Sequence, residues 1–260
     1  MKVTIAIPAR YGSSRFLGKP LVRVNGISML ERVWRIAKSV KNATDVIICT
    51  EDQRIIDEAS KFEAKVVLTS EKCRNGTERI LEALNTLREK PDVVINLQGD
   101  AILTPPWIIE NLIDAFIKVK NLKIGTTAVR LDIENFNKMK KSKTNGQAGG
   151  TFVVSSLSGN ALYFSKSPIP FLRNKISSPL PIFRHIGLYG YNYETLVKYN
   201  ELSPTPLEIT EGLEQLRALE HDIPIKVIEV DYQGRSHWSI DSPEDVNIVE
   251  ELINKEGELF

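Results

Sequence analysis

Val3-Thr-Ile-Ala-Ile-Pro-Ala-Arg-Tyr-Gly-Ser-Ser-Arg-Phe-Leu-Gly-Lys-Pro20 opens the chain with an apolar run that turns into a loop of small and basic residues. Residues 3–7 carry the pattern of a buried parallel strand, and Pro8 ends it because proline brings no amide proton to a sheet ladder. Gly12, Ser13, Ser14 and Gly18 let the backbone approach an anion closely. Arg10, Arg15 and Lys19 add fixed positive charge that a nucleoside triphosphate would neutralise. The P-loop pattern is excluded, since Gly18-Lys19 is followed by Pro20 and not by Ser or Thr. The dinucleotide fingerprint with its three spaced glycines is excluded as well. An ordinary strand-to-helix loop with solvated Arg and Lys has the same composition, so the loop alone leaves both readings open.

Working outward, the alternation repeats. Apolar runs of strand length at 3–7, 46–49, 66–68 and 93–97 are each followed by a helical pattern, at 29–40, 55–62, 80–87 and 107–119. Such a βαβα series predicts an α/β fold with a mostly parallel sheet, right-handed crossovers and ligands outside the carboxyl ends of the strands. In the third helix Ile80, Leu81, Leu84 and Leu87 share one face, with Thr77 as the expected N-cap. After Arg130 a basic run (138–143) and a glycine-rich run (144–150) read as a mobile surface loop, either closing over substrate or simply connecting. Strands are expected at 152–154 and 161–164, followed by an irregular section punctuated by Ser167-Pro-Ile-Pro170 and Ser178-Pro-Leu-Pro181. Beyond it come a strand at 186–191, helices at 194–199 and 207–219, a strand at 225–230 and a last helix from Pro243. With no internal repeat or composition break, residues 1–260 read as one domain carrying a proline-rich insertion.

Charge narrows the partners. With 34 basic against 33 acidic side chains the chain lacks the footprint of a nucleic-acid surface, while small charged substrates remain open. Cys49 and Cys73 lack CxxC spacing and read as reduced thiols, which fits a cytoplasmic location. No apolar run has the length of a membrane span, and residues 1–8 lack the build of a signal peptide.

A triphosphate is used with a divalent cation, normally Mg2+, held by one or two carboxylates. Asp100 is the best-placed acid, because Val93-Val-Ile-Asn-Leu-Gln-Gly-Asp100 is a buried strand running into Gln98, a glycine and a carboxylate. Shaping a turn would explain the same residue. In Trp238-Ser-Ile-Asp-Ser-Pro-Glu-Asp245, Ser242 as N-cap, Pro243 and the two acids make a standard helix start that does not require Asp241, leaving it available to a metal. Arg79 opens a helix after a glycine turn, a placement that suits a carboxylate or phosphate as well as it suits solvent. Arg184 and His185 precede a strand, and a lone histidine is ordinarily a hydrogen-bonded structural residue.

Together these blocks resemble the 3-deoxy-manno-octulosonate (Kdo) cytidylyltransferases over nearly the whole length. The marks are Ile7-Pro-Ala-Arg-Tyr-Gly-Ser-Ser-Arg15 with Gly18-Lys-Pro20, Gly76-Thr-Glu-Arg79, Asn96-Leu-Gln-Gly-Asp100, Ala161-Leu-Tyr-Phe-Ser165, Arg184-His-Ile-Gly-Leu-Tyr-Gly-Tyr191, Leu213-Glu-Gln-Leu-Arg217 and Asp241-Ser-Pro-Glu-Asp245. The related sialic-acid enzymes typically place asparagine where this chain has Pro20. The resemblance implies a Rossmann-like sheet of the nucleotide-diphospho-sugar transferase type with a small insertion subdomain, residues 131–190, serving dimerisation. It implies a Mg2+-dependent enzyme that joins CTP to an acidic sugar, giving CMP-sugar and pyrophosphate for lipopolysaccharide or capsule synthesis. Arg10, Gly12, Ser13, Arg15, Lys19 and Gln98 would bind the nucleotide. Asp100 and Asp241 would hold the metal and, with Lys19, act in catalysis. Arg79, Gln98, His185, Tyr189, Glu214 and Gln215 would line the sugar pocket.

Three positions depart from the family pattern. Ala101-Ile102 stands where Glu-Pro is usual, Leu17 replaces a proline, and 138–150 lacks an Asn-Pro stretch. The first and third leave a modified ulosonic acid, such as amino-substituted Kdo, as an alternative substrate. A nucleotide-sensing homologue without turnover is the alternative from another class.

Overall fold

The computed structural model describes residues 1–12, 16–144, 150–173, 179–240 and 242–260. The opening run forms β1 (Val3–Pro8), buried on both faces as far as Ile7. A tight turn and the two-residue strands β2 (Arg23–Val24) and β3 (Ile27–Ser28) lead into α1 (Met29–Ser39), where Ser28 accepts the Glu31 amide as N-cap. The series continues with β4 (Asp45–Thr50), α2 (Gln53–Ser60), β5 (Lys65–Leu68), α3 (Gly76–Thr86), β6 (Val93–Asn96) and α4 (Pro106–Lys118). Then follow β7 (Ile124–Arg130), α5 (Ile133–Thr144), β8 (Thr151–Ser155), β9 (Ala161–Ser165) and β10 (Phe183–Asn192). The chain closes with α6 (Tyr193–Asn200), α7 (Pro206–Glu211), α8 (Leu216–Glu220), β11 (Ile225–Glu229) and α9 (Asp245–Glu256).

The central sheet runs β11-β7-β10-β6-β1-β4-β5, with β8 added beside β10 and β9 beside β8. β1 is parallel to β4 and β6, β4 to β5, and β7 to β11, whereas β10 runs antiparallel to β6, β7 and β8. One apolar cluster lies on the face covered by α1, α4 and α9, and a second on the face covered by α3, α6 and α8. The βα loops after β1, β4 and β6 therefore emerge together at one edge, the position at which open α/β sheets bind ligands. Among the described residues no helix is long and apolar enough to cross a membrane.

Several expectations are corrected. Residues 138–143 are not loop but part of α5, where the Glu134–Lys138 pair one turn apart stabilises the helix. Residues 145–149 lie outside the described residues. The single helix expected at 207–219 breaks into α7 and α8 at Gly212, whose φ of 64° only glycine adopts freely. The N-cap of α3 is Asn75, which accepts the Glu78 amide, and Thr77 is buried inside the helix. Regular helix at the C-terminus begins at Asp245, with the Ser242 amide and hydroxyl both donating to its carboxylate. β7 has no counterpart in the sequence reading.

Candidate active site

Where β1 ends, Pro8, Ala9 and Arg10 form one wall of a cavity of about 350 Å3. The floor is the turn Gln98-Gly99-Asp100 after β6, and the far wall is Cys73 to Gly76 with Arg79. Gly99 is needed for close approach, since a Cβ there would lie 2.9 Å from the Pro8 carbonyl oxygen. Gly18, at φ 70°, turns the chain so that Lys19 enters the same cavity, and a Cβ there would lie 3.1 Å from the Tyr11 ring. Arg54 covers the Tyr11 ring, with its guanidinium carbon 3.3 Å from the ring centroid.

Lys19 Nζ donates to Asp100 Oδ2 at 2.7 Å, so two residues far apart in the chain meet at the mouth of the cavity. Asp100 is 41% exposed against 14% for Lys19, leaving the carboxylate open to a ligand. Gln98 Nε2 donates to the buried Asn96 Oδ1 at 2.9 Å, which fixes the amide and frees its oxygen. Arg79 lines the cavity edge but is only 5% exposed. Its guanidinium donates to Thr69 Oγ1 at 2.7 Å and is in ion-pair contact with Glu51. The charge expected to meet a substrate carboxylate is thus already balanced by the protein. Glu51 follows β4 directly, and the only signal for it in the sequence is that strand-end position.

His185, Tyr189, Glu214 and Gln215 do not line the cavity surface. They form a polar layer next to it, with Tyr189 opposite Asn96 across the β10–β6 ladder. The rings of His185 and Tyr189 are 5.2 Å apart and those of Tyr189 and Tyr191 are 6.0 Å apart. Tyr199 Oη donates to the Glu214 carbonyl at 2.7 Å, joining α8's approach to the same layer. Among the described residues Gln215 Nε2 is buried without a hydrogen-bond partner, and Tyr189 Oη and Glu214 Oε1 are buried without a well-formed one, the Thr126 and Thr77 hydroxyls being their neighbours. Each such atom costs about 1–3 kcal/mol. Burial raises the Glu214 carboxyl above its ordinary range, and burial raises the Tyr189 phenol well above its own.

His185 Nε2 lies 2.8 Å from Thr126 Oγ1, and burial, aided by the charge of Lys166, pushes its pKa down to about 3. His237 is likewise pushed down to about 3, by burial and then by Arg184. Below the ordinary histidine value the unfolded chain takes up protons that these folded sites refuse. The stability they support is complete above about pH 6.5 and declines as pH falls toward 3, by up to about 1.4 kcal/mol per pH unit for each ring. Urea midpoints are therefore expected to drop between about pH 7.5 and about pH 5, and less so in His185→Phe; equal midpoints would contradict the assignment.

Of the other anticipated residues, Arg10 lines the cavity and Gly12 is exposed beyond its rim. Ser13, Arg15 and Asp241 lie outside the described residues. Among the described residues no cluster of three or more His, Cys, Asp or Glu side chains is arranged as a metal site. The donor set at the mouth, an open carboxylate beside the cationic side chains of Arg10 and Lys19, fits Mg2+, which takes one or two protein carboxylates and completes its shell with phosphate and water oxygens.

A basic loop after the first strand of an open α/β sheet, facing an acid after a neighbouring parallel strand, defines a nucleotidyltransferase-type site. The comparisons give the particular family. A family model described as Cytidylyltransferase matches residues 4–226. The chain is 49% identical over 259 residues to the 3-deoxy-manno-octulosonate cytidylyltransferase of Maricaulis maris, covering 100% of both chains. It is 38% identical to the mitochondrial enzyme of that name from Arabidopsis thaliana, over 98% of this chain and 84% of the relative. A solved CMP:2-keto-3-deoxy-manno-octonic acid synthetase complexed with CTP superposes with a TM-score of 0.88 at 31% identity, covering 98% of this chain and 100% of that one. The chain belongs to the 3-deoxy-manno-octulosonate cytidylyltransferase family.

Proposed function

We propose that this protein transfers CMP from CTP to 3-deoxy-manno-octulosonate. The anomeric hydroxyl attacks the α-phosphorus and gives up its proton to solvent, the bond from that phosphorus to the bridging oxygen breaks, and pyrophosphate leaves with the electron pair. Arg10 and Lys19, with Gly12, Ser13 and Arg15 of the same loop, hold the phosphates and balance their charge. Gln98, its amide fixed by Asn96, orients the reactants. Such a transfer needs little covalent help from the protein, so positioning and electrostatics carry most of the rate. Asp100 and Asp241 would hold Mg2+, which neutralises phosphate charge when bound.

The observation that carries this reading is the trio of buried, poorly satisfied polar atoms on Tyr189, Glu214 and Gln215. Polar groups left unpaired beside a cavity await a ligand rich in hydroxyls, as an octulosonic acid is. His185, held neutral, offers one further ring nitrogen to the same ligand. The reading extends to a cytoplasmic homodimer joined through residues 131–190 of a single domain, supplying activated sugar for lipopolysaccharide or capsule. Sedimentation tests the dimer.

The decisive assay is pyrophosphate release with each of the four nucleoside triphosphates against a panel of acid sugars. CTP with 3-deoxy-manno-octulosonate is expected to be the fastest pair, and omission of Mg2+ to abolish turnover. Turnover with amino-substituted sugar alone would move the substrate assignment. CTP binding without turnover on any sugar would overturn the enzyme reading.

A further inference from the structure

The basic loop after β1 is closed at its base by a backbone hydrogen bond from the Gly18 amide to the Tyr11 carbonyl, at 2.9 Å. The Tyr11 ring lies against that closure. A Cβ at Gly18 would come within 3.1 Å of its Cε2, 3.2 Å of its Cζ and 3.3 Å of its Oη. The ring also meets α2, where the Arg54 guanidinium carbon stands 3.3 Å from its centroid. Tyr11 therefore ties the end of the loop to a helix that follows a different strand, β4.

Arg54 is fixed for this contact by a neighbour. Its Nε donates to Asp52 Oδ1 at 2.9 Å and its Nη2 to Asp52 Oδ2 at 2.6 Å, a forked pair that uses the edge of the guanidinium and leaves its face to the ring. Asp52 is held in turn as the N-cap of α2, accepting the Arg54 amide at 2.9 Å. The carboxylate balances the guanidinium charge, so Arg54 acts on the loop by stacking and not as a further cation for phosphate. Neither Tyr11 nor Arg54 is in the wall of the first cavity, and the Arg54 side chain is 58% exposed. An exposed pair of this kind adds little to stability. Its neighbours along the chain are the ones that matter: Arg10 precedes Tyr11 and Lys19 follows Gly18, and both do line the cavity.

We propose that Arg54 is a positioning residue for the nucleotide: by stacking on Tyr11 it holds the loop closed, with Arg10 and Lys19 aimed into the cavity, before CTP arrives. Arg10, Arg15 and Lys19 repel one another until a triphosphate neutralises them, so closure needs a contact that does not depend on the ligand. A loop that is competent only part of the time lowers the apparent affinity by that fraction. Bound CTP restores the closed form itself, so the cost falls on binding and not on the rate at saturation. The inference rests on the transferase reading above and adds to it what prepares the loop.

Arg54→Ala is expected to raise KM for CTP about three- to tenfold, with kcat and the sugar's KM within about twofold of wild type. Its melting temperature should stay within about 2 °C, because the side chain is exposed. Tyr11→Phe, which keeps the ring, should behave as wild type, and Tyr11→Leu as Arg54→Ala. Combining Tyr11→Leu with Arg54→Ala should cost no more than the worse single change, since both remove one contact. Arg54→Lys should recover only part of the loss, an ammonium being unable to fork onto Asp52 and stack at once. Dissociation constants for CTP from calorimetry should rise in parallel with KM. Unaltered CTP affinity in Arg54→Ala would overturn the proposal. So would single effects that multiply in full in the double variant, which would mean that Arg54 meets the phosphates itself. Should the wild type release no pyrophosphate with any sugar, the transferase reading fails separately, and the calorimetric CTP affinities of the same variants decide this one.

Discussion

Asp100→Asn is expected to lower kcat for pyrophosphate release by about 10²- to 10³-fold while the protein stays folded. The change keeps the shape of the side chain and removes its charge. Lys19 Nζ loses the carboxylate it now meets at 2.7 Å, and the mouth of the cavity loses an open acid suited to a divalent cation. Because the pair is partly exposed, its contribution to stability is about 1 kcal/mol or less, so a large loss of rate would not reflect unfolding. Lys19→Met should cost a comparable factor, and the double variant much less than the product of the two, since both act on the same phosphate charge. Wild-type kcat in Asp100→Asn at saturating CTP, with circular dichroism unchanged, would remove Asp100 from the chemistry.

The first half of the fold is legible because β1, β4 and β6 are continuous apolar runs and α1 and α3 have clear one-sided periodicity. β7 is not. Its sequence, Ile-Gly-Thr-Thr-Ala-Val-Arg, looks like a turn, yet Thr126 and Thr127 are fully buried. The reason is close packing: a Cβ at Gly125 would lie 2.9 Å from Leu112 Cδ1 of α4. Small residues there report the approach of a helix, which no local window records. In α5 the lysines hide the helix, because only Phe136 and Met139 face the small cluster with Phe152 and Leu180, and two apolar residues make a weak period.

The site divides along the same line. Arg10, Lys19 and Asp100 stand on loops at strand ends, where the topology alone predicts ligands, and the cavity does bring them together. Tyr189, Glu214 and Gln215 were accessible only through family resemblance, since nothing local tells a buried polar residue from a solvated one. Glu51 is hidden for another reason. It precedes Asp52, the N-cap of α2, so an acid there reads as part of a helix start when its carboxylate in fact turns to Arg79.

That pairing makes Arg79→Met the largest expected effect on stability. Both members are well buried, at 6% and 16% side-chain exposure, and the variant would leave Glu51 charged without its partner. Breaking a buried pair from one side costs about 3 kcal/mol or more, which for a chain of this size lowers Tm by roughly 6–12 °C. Adding Glu51→Gln should restore much of the loss, because the stranded charge is removed as well. The sugar's KM in the double variant should then remain near the wild-type value, as the guanidinium is already engaged by Glu51 and Thr69. The opposite pattern, an unchanged Tm with a sugar KM raised tenfold or more, would mean that the guanidinium leaves Glu51 for the substrate. The acid group would then sit in the first cavity beside Asn75 and Gly76.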